Sequence, residues 1–95
     1  MTKAEILELL ETLKPMITLR VRRTTTQPTI YVTVKEAYGY ITEGTVTYFT
    51  PYDPDAIDAV RTKLERAALT IEYPFHEYLT FSDCRVRWAY ENEWE

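Results

Sequence analysis

Several residue types are scarce in this chain, and each scarcity excludes a class of site. Only two glycines, Gly39 and Gly44, are present, so neither the dinucleotide-binding G-x-G-x-x-G pattern nor the phosphate-binding P-loop pattern can be written here. One cysteine, Cys84, and one histidine, His76, are too few for a tetrahedral Cys/His zinc site, and a lone cysteine forms no internal disulfide. The sequence therefore predicts a protein with no metal and no cofactor.

Long apolar runs are also missing. The most apolar stretch, 6–13, is interrupted by Glu8 and Glu11, whereas a membrane-spanning helix needs about 20 mostly apolar residues. The first residues lack the apolar core of a signal peptide. The 95 residues are 45% hydrophobic and 27% charged, with a formal charge of −4, which is typical of a single globular domain. We expect one domain over 1–95, located in the cytoplasm, with no membrane contact.

Two segments carry the signals of helix starts. Thr2 and Glu5 have the spacing of a capping box, and apolar residues follow at helical intervals, which predicts a helix over about 3–14. The Asp-Pro-Asp sequence at 53–55 combines a capping side chain with a proline at the first helical position. This pattern predicts a second helix over about 54–69.

Alternation of apolar and polar residues predicts strands in the rest of the chain. Residues 16–50 have the pattern of a three-stranded meander, 70–73 of a short strand and 84–90 of a final strand, whereas 74–83 has no clear pattern. We therefore expect an α+β fold of order α-β-β-β-α-β(-β). Its antiparallel sheet would have four to five strands, with both helices packed on one face.

Up to the second helix, this order of elements resembles the double-stranded-RNA-binding domain, over about 70 residues. The resemblance lies in the order of elements alone. It implies a contact with duplex RNA through a basic cluster that opens the second helix. The matching positions of this chain are acidic: Asp53, Asp55 and Asp58.

The last eight residues combine two tryptophans with three carboxylates. Aromatic side chains anchor protein interfaces, and carboxylates steer a chain towards a basic partner. We therefore predict a small acidic protein, not an enzyme, that binds another protein as an antagonist of the phage counter-defence or immunity-protein type. The predicted partner-binding residues are Tyr90, Glu91, Glu93, Trp94 and Glu95. The other interpretation is that Trp88 and Tyr90 complete the core.

A second hypothesis places the function on the solvent face of the sheet. Cations interleaved with aromatic side chains neutralise phosphates and stack on bases, so this face is a candidate for binding nucleic acid or a nucleotide. Its candidate residues are Arg20, Arg22, Tyr31, Lys35, Arg85 and Arg87. Polar residues are also the ordinary outward residues of a sheet with one wet face. In a third interpretation, an exposed strand edge or the solvent face of the sheet pairs two copies of the chain as a homodimer.

The segment around 73–84 is rich in aromatic and reactive residues. Five of them, Tyr73, Phe75, His76, Tyr78 and Phe81, either fill the core or line a pocket for a small planar ligand, with His76 or Glu77 as the polar contact. We expect them to fill the core. Ser82, Asp83 and Cys84 lie near His76 in sequence, but their spacing shows no catalytic geometry, and Cys84 has the pattern of a buried small hydrophobic residue.

Overall fold

The protein is described by a computed structural model that covers residues 1–23, 27–35, 39–48, 52–73 and 75–91. Within these ranges the fold is α+β. The helices are α1 (Lys3–Glu11) and α2 (Pro54–Ala67). The strands are β1 (Ile17–Arg23), β2 (Pro28–Val34), β3 (Gly39–Thr42), β4 (Thr45–Tyr48), β5 (Thr70–Glu72), β6 (Glu77–Thr80) and β7 (Arg85–Tyr90). No helix in the described ranges is long and apolar enough to cross a membrane.

Both helices begin where the sequence predicts. The Thr2 hydroxyl accepts a hydrogen bond from the Glu5 N–H at 3.3 Å, and the Glu5 carboxylate accepts one from the Thr2 N–H at 3.3 Å. Asp53 Oδ1 accepts hydrogen bonds from the N–H groups of Asp55 and Ala56 at 3.1 and 3.2 Å. In each case a side chain satisfies N–H groups that have no partner inside the helix, which stabilises its first turn.

Both helices end before their predicted ends. α1 stops at Glu11 and is followed by turns up to Pro15, because a proline has no N–H to continue the helix. α2 stops at Ala67, and the next residue, Ala68, is already extended with ψ of 143°. The differences are a few residues and leave the predicted apolar faces intact.

The main sheet has five strands in the order β1-β2-β7-β6-β5. β2 and β7 run parallel, with pairs from Thr29 and Arg85 to Val34 and Tyr90, whereas the other neighbours in this sheet are antiparallel. The prediction of an antiparallel sheet is therefore wrong at its centre, and the sheet is mixed. Local alternation shows that a segment is extended but not which strand lies beside it, and this is why the parallel pair was missed.

The predicted meander is also wrong, because β3 and β4 pair with each other in a separate two-stranded sheet. Glu43 and Gly44 both have positive φ, 52° and 80°, as is typical of the tight two-residue turn of a hairpin. This turn divides the last part of the predicted meander into two strands. The resemblance to the double-stranded-RNA-binding domain consequently does not extend to strand pairing.

The core lies between the helices and one face of the main sheet, which we call the inner face. Residues of both helices, of the inner face and of the turns that follow α1 and β6 form one buried cluster: Ile6, Leu10, Leu13, Ile17, Ile30, Val32, Val34, Ile57, Val60, Leu64, Leu79, Phe81, Cys84, Val86 and Trp88. Burial of Cys84 confirms that prediction. The opposite face of the sheet, which we call the outer face, carries the alternate residues of the same strands.

Candidate nucleic-acid interface

The outer face carries a row of alternating cations and aromatic rings that crosses four strands. Arg20 of β1 pairs with Tyr31 of β2, Tyr31 pairs with Arg87 of β7, and Arg87 pairs with Tyr78 of β6. We call these four residues the Arg–Tyr row. Residues directly opposite each other on neighbouring strands have Cβ atoms only about 5 Å apart, so the row is continuous.

The guanidinium groups of β7 lie close to the tyrosine rings. The Cζ atom of Arg85 is 4.8 Å from the centre of the Tyr78 ring. The Cζ atom of Arg87 is 5.5 Å from the Tyr78 ring and 5.8 Å from the Tyr31 ring. Each such cation–π contact is worth about 0.5–1 kcal/mol at an exposed site. These contacts hold both charges on the outer face.

Beside the row lies a groove of about 470 Å³ that spans β1, β2 and β7. Its walls combine hydroxyl, guanidinium and aromatic groups. The lining residues are Thr18, Arg20, Arg22, Tyr31, Thr33 and Arg87. The groove thus offers phosphate-binding groups and a flat ring within one open surface.

The outer face is rich in positive charge, although the net charge of the chain is −4. Arg20, Arg22 and Arg85 form no ion pair with any residue in the described ranges. Acidic residues are instead frequent on the helices, and the acid among the described strand residues of this face is Glu72, on the edge strand β5. The outer face is a local basic surface on an acidic protein.

The structure brings most of the residues predicted for this face together. Arg20, Arg22, Tyr31 and Arg87 line the groove, and Arg85 lies over the neighbouring ring. Lys35 follows the last residue of β2 and is exposed, but it does not line the groove.

Tyr78 is the residue of this surface that sequence reasoning missed. The sequence favours a core position for Tyr78, because 74–83 has no clear pattern of alternation. In the structure β6 alternates buried and half-buried residues, and Tyr78 and Thr80 are the half-buried ones. The alternation of β6 is present in the sequence, but one of its two buried positions is occupied by an acid, Glu77. The apolar half of the alternation is therefore not visible in the sequence.

The residues predicted to bind a protein partner are only partly described. Tyr90 is half-buried, packs against the core, and its hydroxyl accepts a hydrogen bond from Arg61 Nη1 at 3.3 Å. Glu91 is exposed. Glu93, Trp94 and Glu95 lie outside the described residues, so this site stays a prediction. Trp88 is 2% exposed and completes the core, as the other interpretation had it.

A polar cluster lies on the inner face at the start of β6. Arg61 of α2 contacts Glu65 through Nε at 3.0 Å and Glu77 Oε2 through Nη2 at 2.9 Å. Glu77 is 5% exposed. Burial and the hydrogen bond with the neighbouring Glu65 carboxyl raise the pKa of Glu77, Arg61 opposes both effects, and the resulting pKa is about 7. The cluster therefore holds a proton near neutral pH.

The expectation that the aromatic segment fills the core is wrong for most of its members. Phe81 is buried, but Tyr73 is 65% exposed and Phe75 is 83% exposed. Tyr78 belongs to the outer face. The high aromatic content of the segment suggested burial, whereas most of its rings are exposed or lie on the outer face.

Two of the residues weighed for catalysis, Asp83 and Cys84, have structural roles. Asp83 Oδ2 accepts a hydrogen bond from the Lys3 N–H at 2.9 Å, which ties the start of α1 to the turn before β7. Burial, with a smaller contribution from Asp83, raises the pKa of Cys84 to about 11, so its thiol stays protonated. In the described ranges no three His, Cys, Asp or Glu residues lie close enough to hold a metal ion.

Comparisons with models of protein families, with curated protein sequences and with solved structures found no match to this chain.

Proposed function

We propose that this protein binds single-stranded nucleic acid through the outer face of its sheet. The observation that carries the proposal is the Arg–Tyr row, in which cations and rings alternate in register across β1, β2, β7 and β6. Such alternation matches the alternation of phosphates and bases along a single strand.

The arginines supply the phosphate contacts. Arg20, Arg22 and Arg85 have no acidic partner in the described ranges, so a phosphate does not need to displace an existing ion pair. A guanidinium group binds a phosphate through two parallel hydrogen bonds. The release of counterions from the strand then adds to the affinity and makes it depend on salt.

The tyrosines favour a single strand over a duplex. Tyr31 and Tyr78 lie on an open sheet with the guanidinium groups of β7 over their rings, and bases reach such flat groups only when the bases are unstacked. The guanidinium planes beside them provide further stacking surfaces. Duplex RNA is disfavoured because α2 opens with acids, Asp53 and Asp55, where a phosphate contact needs positive charge.

The test is fluorescence anisotropy with a labelled single-stranded oligonucleotide of about 12 nucleotides, a length within the site sizes of single-strand binding surfaces. We expect Arg20→Ala to weaken binding by about tenfold and to reduce the slope of log K against log salt by about 0.7, the value for one phosphate on a single strand. We expect Tyr31→Leu to weaken binding by about 5- to 100-fold through the loss of stacking.

The matched control is Arg66→Ala, which removes an exposed arginine from the last turn of α2 and so changes the net charge equally. Arg66→Ala should change the affinity by no more than about twofold, because the charge of Arg66 lies far from the bound nucleic acid and is screened by salt. Equal losses for Arg20→Ala and Arg66→Ala would show that only net charge matters. Binding that does not change with salt would contradict the proposal outright.

A further inference from the structure

Exposed apolar side chains are concentrated at one edge of the main sheet, around β5. Leu69 is 70% exposed and Ile71 is 39% exposed, and the largely exposed rings of Tyr73 and Phe75 follow them. Ile71 pairs with Leu79, a wholly buried residue of the inner face. Ile71 and its alternate neighbours, Leu69 and Tyr73, therefore lie on the inner side of the sheet. Contiguous apolar surface of this kind marks an interaction site.

The backbone of β5 is also open on one side. β5 is the last strand of the main sheet, and β6 is its one neighbour in the part of the chain that the structure describes. All three residues of β5 are exposed. The N–H and C=O groups along the free side of an edge strand are a template for pairing with another strand. The edge at β5 thus combines a backbone template with an apolar row.

The other edge strand, β1, is protected by charge. A two-fold axis pairs an edge strand antiparallel with the same strand of a second copy. In β1, an axis at Val21 places Arg20 opposite Arg22 of the second copy, and an axis at either arginine places it opposite itself. Like charges directly opposite each other destabilise a strand pair. The arginines of β1 therefore disfavour pairing at that edge.

The segment around β5 is complementary to itself. An axis at Ile71, the central residue of β5, places Thr70 opposite Glu72 of the second copy. The Thr70 hydroxyl can donate to that carboxylate, and the two Glu72 carboxylates do not lie opposite each other. The flanking residues, Leu69 and Tyr73, form an apolar cross-strand pair. Each pair across this axis is favourable, which is the property that a symmetric interface requires.

We propose that the protein forms a two-fold symmetric dimer in which β5 pairs antiparallel with β5 of a second copy, centred on Ile71. The pairing joins the two main sheets into one and brings together the apolar rows of their inner faces. The outer faces of both copies stay open. The proposal is therefore independent of the function proposed for the outer face.

The exposed rings indicate the size of this interface. Phe75 lines the same cavity as Tyr73 beside β5, and the exposed parts of the two rings amount to roughly 300 Å². The smallest specific interfaces bury about 600 Å² on each partner, so Leu69, Ile71 and the backbone edge must supply the rest. An interface of this size predicts a weak dimer, with a Kd on the order of 10 µM.

The test is sedimentation velocity of the full chain between about 1 and 200 µM, a range that brackets this Kd. We expect a monomer–dimer equilibrium. Ile71→Lys places two like charges opposite each other on the axis and should raise the Kd at least about tenfold. Val21→Lys is the matched control, because Val21 is a similarly exposed residue of β1. It should change the Kd by no more than about twofold.

A second pair of variants tests the register. Thr70→Glu places an acid opposite Glu72 of the second copy at two symmetric positions, and it should raise the Kd about tenfold. Adding Glu72→Lys to the same chain places opposite charges there and should restore the wild-type Kd. Urea unfolding shows that each variant is folded.

A chain that stays monomeric at the highest concentration would overturn the proposal. A dimer that survives Ile71→Lys, or that Val21→Lys dissociates, would place the interface elsewhere and would overturn it too. The register centred on Ile71 would be wrong if Glu72→Lys did not restore the association that Thr70→Glu had weakened.

Discussion

The two faces of the main sheet treat charge in opposite ways. On the outer face, Arg20 and Arg22 reach water without acidic partners among the described residues. On the inner face, Glu77 is withdrawn from water and lies against Arg61 at 2.9 Å. A charge near water needs no partner, but a buried charge does, since burial alone would neutralise it. The outer face is therefore available to a ligand, whereas the inner face belongs to the core that determines stability.

The largest expected effect comes from the apolar part of the inner face. Leu79→Ala should lower the free energy of unfolding by about 2–5 kcal/mol, because it leaves a cavity in the wholly buried core. Thr80→Ala, the next residue of β6 but on the outer face, should change it by about 0.5 kcal/mol or less. Urea unfolding measures both. Similar values for the two variants would remove the distinction between the faces.

The second effect is a pH dependence that arises from Glu77. Its pKa is about 7 in the folded protein and 4.5 in an ordinary setting, so between these values the folded state binds the proton more tightly. The free energy of unfolding should be greatest below the lower pKa and should fall as the pH rises through 7, by roughly 1–3 kcal/mol in all. Urea unfolding at pH 5 and pH 8 shows the fall.

Glu77→Gln should abolish this pH dependence, because the amide does not titrate in this range. Glu72→Gln removes an exposed acid instead and should retain the dependence. A wild-type protein that is more stable at pH 8 than at pH 5 would contradict the sign of the prediction, and with it the buried, proton-holding state of Glu77.

The smallest effect belongs to the cation–π contacts of the outer face. Arg85→Ala should lower the free energy of unfolding by about 0.5–1 kcal/mol, because its guanidinium lies 4.8 Å from the Tyr78 ring. Arg22→Ala removes an arginine of the same face that has no such ring contact in the described ranges, and it should have almost no effect. If the two losses are equal, the ring contact contributes nothing to stability.

Much of this fold was predictable from local sequence patterns. The capping residues Thr2 and Asp53 mark both helix starts, because caps act over three or four residues. Alternation likewise placed Arg20, Tyr31 and Arg87 on one face, since side chains of a strand alternate regardless of which strands are its neighbours.

What was missed depends on contacts between distant segments. The parallel pairing of Thr29 with Arg85 has no local signal in the sequence. The strand β6 was not predicted because an acid, Glu77, occupies one of its buried positions. That acid is tolerated only because Arg61, on a helix elsewhere in the chain, lies against it.

The parallel pairing at the centre of the sheet also determines when the fold can form. β2 is made early, yet its second neighbour, β7, lies more than half the chain further on. During synthesis on a ribosome, β1 and β2 can therefore form a hairpin, but the other edge of β2 has no partner while β3, β4, α2, β5 and β6 emerge. Closing so long a loop is slow compared with local pairing. Until β7 arrives, the apolar side of β2 remains available to chaperones and to other nascent chains.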